Sequence, residues 1–167
     1  MRTPRRLAVV TLLAACAGWP AWSADPTTPE VKAEIIRLVD TLEKQPGHPD
    51  ARAMRASVLK WLTDAPDVSV KVCFDFLGME DFAPDGREAE LFFQQPFAEA
   101  RYVLENPDKA KDEIAVHLAG VESALRTYAV MKAEDAKLEI PAMEKLVKLQ
   151  AEQKLPEHVS KATKKCH

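Results

Sequence analysis

Apolar residues recur every three or four positions over most of the chain, and a proline stands where most such runs begin. Thr28-Pro29-Glu30 joins a capping hydroxyl, a first-turn proline and a favourable negative charge. Val31, Ile35, Leu38, Val39 and Leu42 then share one helical face, and Pro46-Gly47 ends that helix at about Gln45. Pro49-Asp50 opens a second helix with the stripe Met54, Val58, Trp61 and Leu62, stopped by Pro66. A third runs from about Arg87 to Glu105 with Leu91, Phe92, Tyr102 and Leu104 facing inward, and Pro96 inside it predicts a kink or a division. Asn106-Pro107-Asp108 starts a fourth, with Ile114, Leu118, Val121, Leu125 and Tyr128 in one row and Lys132 continuing it. Gly120 in its interior costs helix stability and would admit a close neighbouring helix. Pro141 opens a fifth with Leu146, Val147 and Leu149, and Pro156 a short last one carrying Val159, Ala162 and Cys166.

Residues 67–77 change period. Val68, Val70, Val72, Phe74 and Phe76 alternate with Ser69, Lys71, Cys73 and Asp75, the spacing of a strand. The chain has no second convincing β run to pair with it, so an extended buried crossing or a helix buried on most sides are the other readings. The fold class is therefore all-α: a compact bundle of five or six helices, with one extended or strand-like crossing near residues 67–77. The 167 residues suffice for one domain with a real core, and no low-complexity linker divides them.

The first 23 residues do not belong to that domain. Arg2, Arg5 and Arg6 precede the apolar run Leu7 to Ala15, which is too short to span a bilayer and is placed like a secretory signal. Ala21-Trp22-Ser23 offers small residues for cleavage before Ala24. Leu13-Ala14-Ala15-Cys16 offers a lipobox, with Cys16 as a lipidated first residue. Both readings place residues 24–167 outside the cytoplasm, in the periplasm or secreted, and the second tethers them to a membrane. Removing residues 1–23 takes away three arginines and no acid, so the net charge of −3 becomes −6. That balance argues against nucleic acid as a partner. In an oxidising compartment the remaining thiols, Cys73 and Cys166, predict one disulfide.

Chemistry-bearing patterns are sparse. None of His48, His117, His158 and His167 stands in zinc-peptidase or di-iron spacing, and no metal or other cofactor is implied. Glu113 and His117 lie four apart on one helix and are the best handle for an acid–base enzyme, or else an ordinary helix-surface pair. Ser57 and Lys60 lack the companion motifs of penicillin-binding enzymes. Between Gly78 and Gly86, Phe82 sits among Glu80, Asp81 and Asp85 in a loop with no helical stripe. A calcium loop starting at Asp81 fails, because Ala83 and Phe92 stand where ligands are needed. Phe82 is the expected anchor for a protein partner, with Glu80, Asp81 and Asp85 around it.

Three stretches carry a likeness: Trp61-Leu62 through Pro66-Asp67-Val68 to Val72-Cys73; Glu105-Asn106-Pro107-Asp108-Lys109 through Leu118 to Leu125; and Lys164-Lys165-Cys166. Over roughly residues 58–166 the chain resembles a group of small secreted bacterial helical proteins of unknown function. The resemblance implies an exported helical domain and brings no activity or site residues with it. In architecture alone the chain is similar to periplasmic helical proteins with one disulfide, among them acid-stress chaperones and immunity proteins that neutralise toxins of rival bacteria. The expected function is that of a non-catalytic exported binding or interaction protein. A lipid-anchored immunity-like or chaperone-like protein and a Glu113/His117 enzyme are the alternatives.

Overall fold

The computed structural model describes residues 26–78 and 86–166. Six α-helices make up most of the described residues: α1 (Pro29–Lys44), α2 (Ala51–Asp64), α3 (Arg87–Glu105), α4 (Glu113–Glu134), α5 (Pro141–Ala151) and α6 (Leu155–Thr163). Single 3₁₀ turns stand at Phe74–Phe76 and Pro107–Lys109. There is no strand among the described residues, and no helix there is long and apolar enough to cross a membrane.

Local chemistry accounts for most helix starts. The Thr28 hydroxyl accepts from the Val31 amide at 3.3 Å, Pro29 occupies the first turn and Glu30 meets the positive end of the dipole. The fourth helix begins later than its prolines suggest. Pro107–Lys109 forms a separate 3₁₀ turn, and Asp112 is the residue that caps α4, accepting from the Ala115 amide at 3.1 Å. Pro96 neither divides nor ends α3, which is assigned as one helix from Arg87 to Glu105. Its ring is buried in the bundle, so packing offsets the hydrogen bond that proline cannot donate.

Helices α3 and α4 form the centre, and each contributes to two apolar clusters. One joins Leu91 and Phe92 of α3 to Val121, Leu125 and Tyr128 of α4, Met143 and Leu146 of α5, and Val159 of α6. The other joins Ile35, Val39 and Leu42 of α1 to Val58 of α2 and to Phe97 and Val103 of α3. Helix α4 is buried on more than one side, which corrects the single row read from its sequence. Val121, Leu125 and Tyr128 are buried as expected, while Ile114 is 43% exposed.

The segment 67–77 is an extended crossing and not a strand. Val68 is buried, Val72 is 56% exposed, and the run ends in the 3₁₀ turn with Phe76 and Leu77 buried. Its anchors are side-chain contacts where a strand would have a ladder. At one end the Asp67 carboxylate accepts from the Thr27 amide and hydroxyl at 3.1 and 2.9 Å. At the other end Cys73 is joined to Cys166 beyond α6, with a Cα–Cα separation of 6.1 Å across 93 residues. Nε2 of His158 bonds the Phe76 carbonyl at 3.1 Å, so that nitrogen carries the proton. Closing a loop of this length contributes at most about 4–5 kcal/mol on the chain-entropy argument.

Two backbone positions invite tests. A Cβ on Gly120 would stand 2.7 Å from Glu99 Cγ and 2.8 Å from the Gln95 carbonyl oxygen, so α4 crosses α3 where only glycine fits. Alanine is the better helix former by about 1 kcal/mol, yet Gly120→Ala should destabilise the protein by about 2 kcal/mol, because the Gln95 backbone cannot swing aside. A urea midpoint at or above that of the wild type would contradict this close approach. Between α5 and α6, the Lys154 amide bonds the Leu149 carbonyl and the Gln153 amide bonds the Gln150 carbonyl, a Schellman ending with Gln153 at φ 59° where glycine is usual. Gln153→Gly should raise stability by about 1 kcal/mol by relieving the left-handed strain; a fall in melting temperature would refute that reading.

Candidate functional site

The structure joins Cys73 to Cys166 and separates the other expected pair. Glu113 and His117 both lie on α4, but they do not bond to each other. Glu113 projects toward solvent and meets Lys71 at 2.8 Å, while His117 turns inward, 2% exposed, and places Nδ1 2.8 Å from Oε1 of Glu99 on α3. The acid–base handle read from the sequence therefore does not form, because a buried carboxylate on the facing helix takes the imidazole. Glu80, Asp81, Phe82 and Asp85, the expected partner-binding loop, lie outside the described residues, as does Cys16. Cys73, Asp75 and Cys166 offer the one cluster of three metal-ligand atoms among the described residues, and the disulfide already engages both sulfurs.

The α3–α4 crossing assembles polar groups from residues far apart in sequence. Oε1 of Glu99 also accepts from Gln95 Nε2 at 2.6 Å, and the His117 ring lies 4.3 Å from the Phe76 ring. Glu99 Oε2, Gln95 Oε1 and His117 Nε2 are buried with no hydrogen-bond partner among the described residues. Burial pushes the Glu99 carboxyl above its ordinary pKa, and the contacts to His117 and Gln95 offset this only in part. The ionised form of Glu99 is thus disfavoured in a place closed to water.

Six residues beyond His117 on α4, Ser123 serves a second carboxylate. Its hydroxyl donates to Glu43 of α1 at 2.5 Å and accepts from Gln94 Nε2 at 3.0 Å. Arg126 bonds both Glu43 oxygens, at 2.8 and 3.1 Å, and Arg101 reaches Glu43 at 3.0 Å while also pairing with Asp40. Burial alone would raise the pKa of Glu43, but the bonds from Arg126 and Ser123 and the charge of Arg101 outweigh it and hold the carboxyl below its ordinary value. Glu43 thus ties α1, α3 and α4 together as a satisfied ion cluster. These residues were not singled out in the sequence. The available signal was Gln94, Gln95 and Glu99 falling inside a helix whose remaining inner positions are apolar or small.

Two accessible concavities lie elsewhere, along α2. A groove of about 570 Å³ runs between α2 and the start of α3, with Arg52, Arg55 and Glu90 as its charged lining and Ala56, Leu59, Ala89 and Phe93 as its apolar surface. A second, of about 400 Å³, continues from Leu59 past Leu62 and Pro66 to Val70 and Val72. Arg55 is oriented by the Pro46 carbonyl at 2.8 Å and by Glu90 at 3.7 Å. Burial draws its pKa down, with Glu90 opposing. Arg52 has no ion pair or hydrogen bond among the described residues. Leu59, common to both grooves, is 45% exposed. Comparison with protein-family models, with curated proteins and with solved structures finds no match to this chain.

The two buried carboxylates make opposite contributions to pH dependence. Glu99 has a raised folded-state pKa, so its contribution to stability is full below the ordinary carboxylate value and is lost as pH rises through the folded value. Glu43 has a depressed one, so its contribution is present above the ordinary value and is lost as pH falls through the folded value. Glu99→Gln should therefore flatten the decline in unfolding free energy above about pH 4.5 and leave the acid limb in place. Urea titrations of wild type and variant from acid to neutral pH test this, and parallel curves on the alkaline side would remove Glu99 as the cause.

Proposed function

We propose that this chain is an exported, non-catalytic binding protein whose binding surface is the grooved face of α2. The leader-like residues 1–23 support export, with cleavage before Ala24 or lipidation of Cys16 as its two routes. The observation that carries the binding reading is the exposure of Leu59 where two concavities meet, beside an arginine that has no ion partner among the described residues. Exposed leucine is ordinary when scattered; here Leu59 and Val72 border one continuous apolar tract with a cationic end. The proton-transfer groups, by contrast, sit in the closed crossing and line neither groove. Recognition rather than turnover is the chemistry this arrangement supports.

Leu59→Asp tests the reading directly. The side chain is nearly half exposed, so the variant should melt within a few degrees of wild type. Immobilised wild type should retain a specific component of the extract from the host's exported compartment, and Leu59→Asp should retain it at least tenfold less. Equal retention by the variant would remove α2 as the binding face. Turnover of a substrate by wild type that vanishes in His117→Gln would replace binding with catalysis.

A further inference from the structure

The grooved face also carries information about its occupant, and this step rests on the binding reading above. We infer that the α2 face takes an amphipathic helix with acidic residues in a terminal turn and apolar anchors along the rest. Arg52, Arg55, Leu59 and Leu62 follow one another at three- and four-residue intervals, with Ala56 and Thr63 filling the same stripe. From Arg52 to Thr63 the stripe is about 16 Å long at 1.5 Å per residue, the length of three turns of a guest helix laid along it. A guest with anchors at i, i+3 or i+4 and i+7 would match that row.

Three observations choose this guest over others. Among the described residues both grooves are open on their outer side, so whatever lies in them is covered on one side only. An amphipathic helix turns its polar back to water at no cost, whereas a lipid chain would keep half its surface wet. The described residues hold no strand, hence no sheet edge onto which an extended peptide could add. Charge then sets the orientation. The lining of the first groove sets Arg52 and Arg55 against the single carboxylate Glu90, a small excess of positive charge on a chain of net charge −3. Arg55 is partly engaged by Glu90 while Arg52 has no ion partner among the described residues, which makes Arg52 the cation that a guest carboxylate would meet first. The opposite end, around Leu62, Val70 and Val72, offers apolar surface for the guest's anchors.

The test is a selection of displayed 16-residue random peptides on the mature chain, repeated on Arg52→Glu and Leu59→Asp. Wild type should enrich peptides with Glu or Asp in one terminal turn and Leu, Ile or Phe at helical spacing. The best of these, synthesised, should gain helicity on binding, bind Arg52→Glu at least tenfold more weakly and recover when its facing acid is replaced by lysine. Leu59→Asp should abolish binding. Peptides that lack the acidic turn or the helical spacing, or that are indifferent to Arg52→Glu, would overturn this inference; if they are still lost in Leu59→Asp, the α2 binding face stands. Peptides indifferent to both variants, or no enrichment at all, would overturn the inference, and indifference to Leu59→Asp would overturn the binding face as well. Phosphatidylcholine or phosphatidylglycerol vesicles that bind wild type but not Leu59→Asp would make the occupant a lipid surface and contradict the helix.

Discussion

The approach of α4 to α3 at Gly120 is the constraint on which the bundle depends. With Glu99 and the Gln95 carbonyl standing where a Cβ would go, the two backbones are closer than ordinary side chains allow. Residues one turn to either side are then forced onto polar partners. His117 falls on Glu99, and Ser123 falls on Gln94 and Glu43. A wider crossing would separate both sets and leave carboxylates buried without their hydrogen bonds, which costs several kcal/mol per group. The crossing and its polar contacts therefore stand or fall together, and register between α3, α4 and α1 follows from them.

The rest of the molecule is arranged outward from that centre. Helices α5 and α6 cover the far side of α4, with the Tyr128 hydroxyl donating to Glu144 at 2.6 Å and accepting from the Ile140 amide at 3.2 Å at the start of α5. The disulfide and the His158 bond pin the extended crossing against α6. Helix α2 commits little of its surface to the core, with Ala51 and Val58 its only buried residues. A helix with little of its surface committed to the core has surface to offer a partner, and the grooves beside it are the consequence.

Much of this was legible in the chain because it is local. Proline spacing located most of the helices, Thr28 and its neighbours marked the first start, Gly120 signalled a close approach, and two thiols after a leader-like segment pointed to Cys73–Cys166. What escaped is non-local. Nothing four residues from His117 reveals that its partner is Glu99 on another helix, and i,i+4 spacing pointed to Glu113. Likewise the alternation at 68–76 arises both in strands and in any extended segment that packs one side, and only the missing partner strand separates them. Arg52 and Leu59 read as an ordinary helix surface until the grooves on either side of Leu59 become visible.

Native-state hydrogen exchange tests most directly the claim that the α3–α4 crossing is the foundation and α2 the open periphery. Amides of residues 97–104 in α3 and 117–128 in α4 should exchange only through global unfolding, with a denaturant dependence equal to that of the whole protein. Amides of α2 should open at distinctly lower free energy, by a local route insensitive to denaturant. If α2 proved as protected as the crossing, or if the crossing opened locally while the periphery held, the hierarchy described here would be wrong.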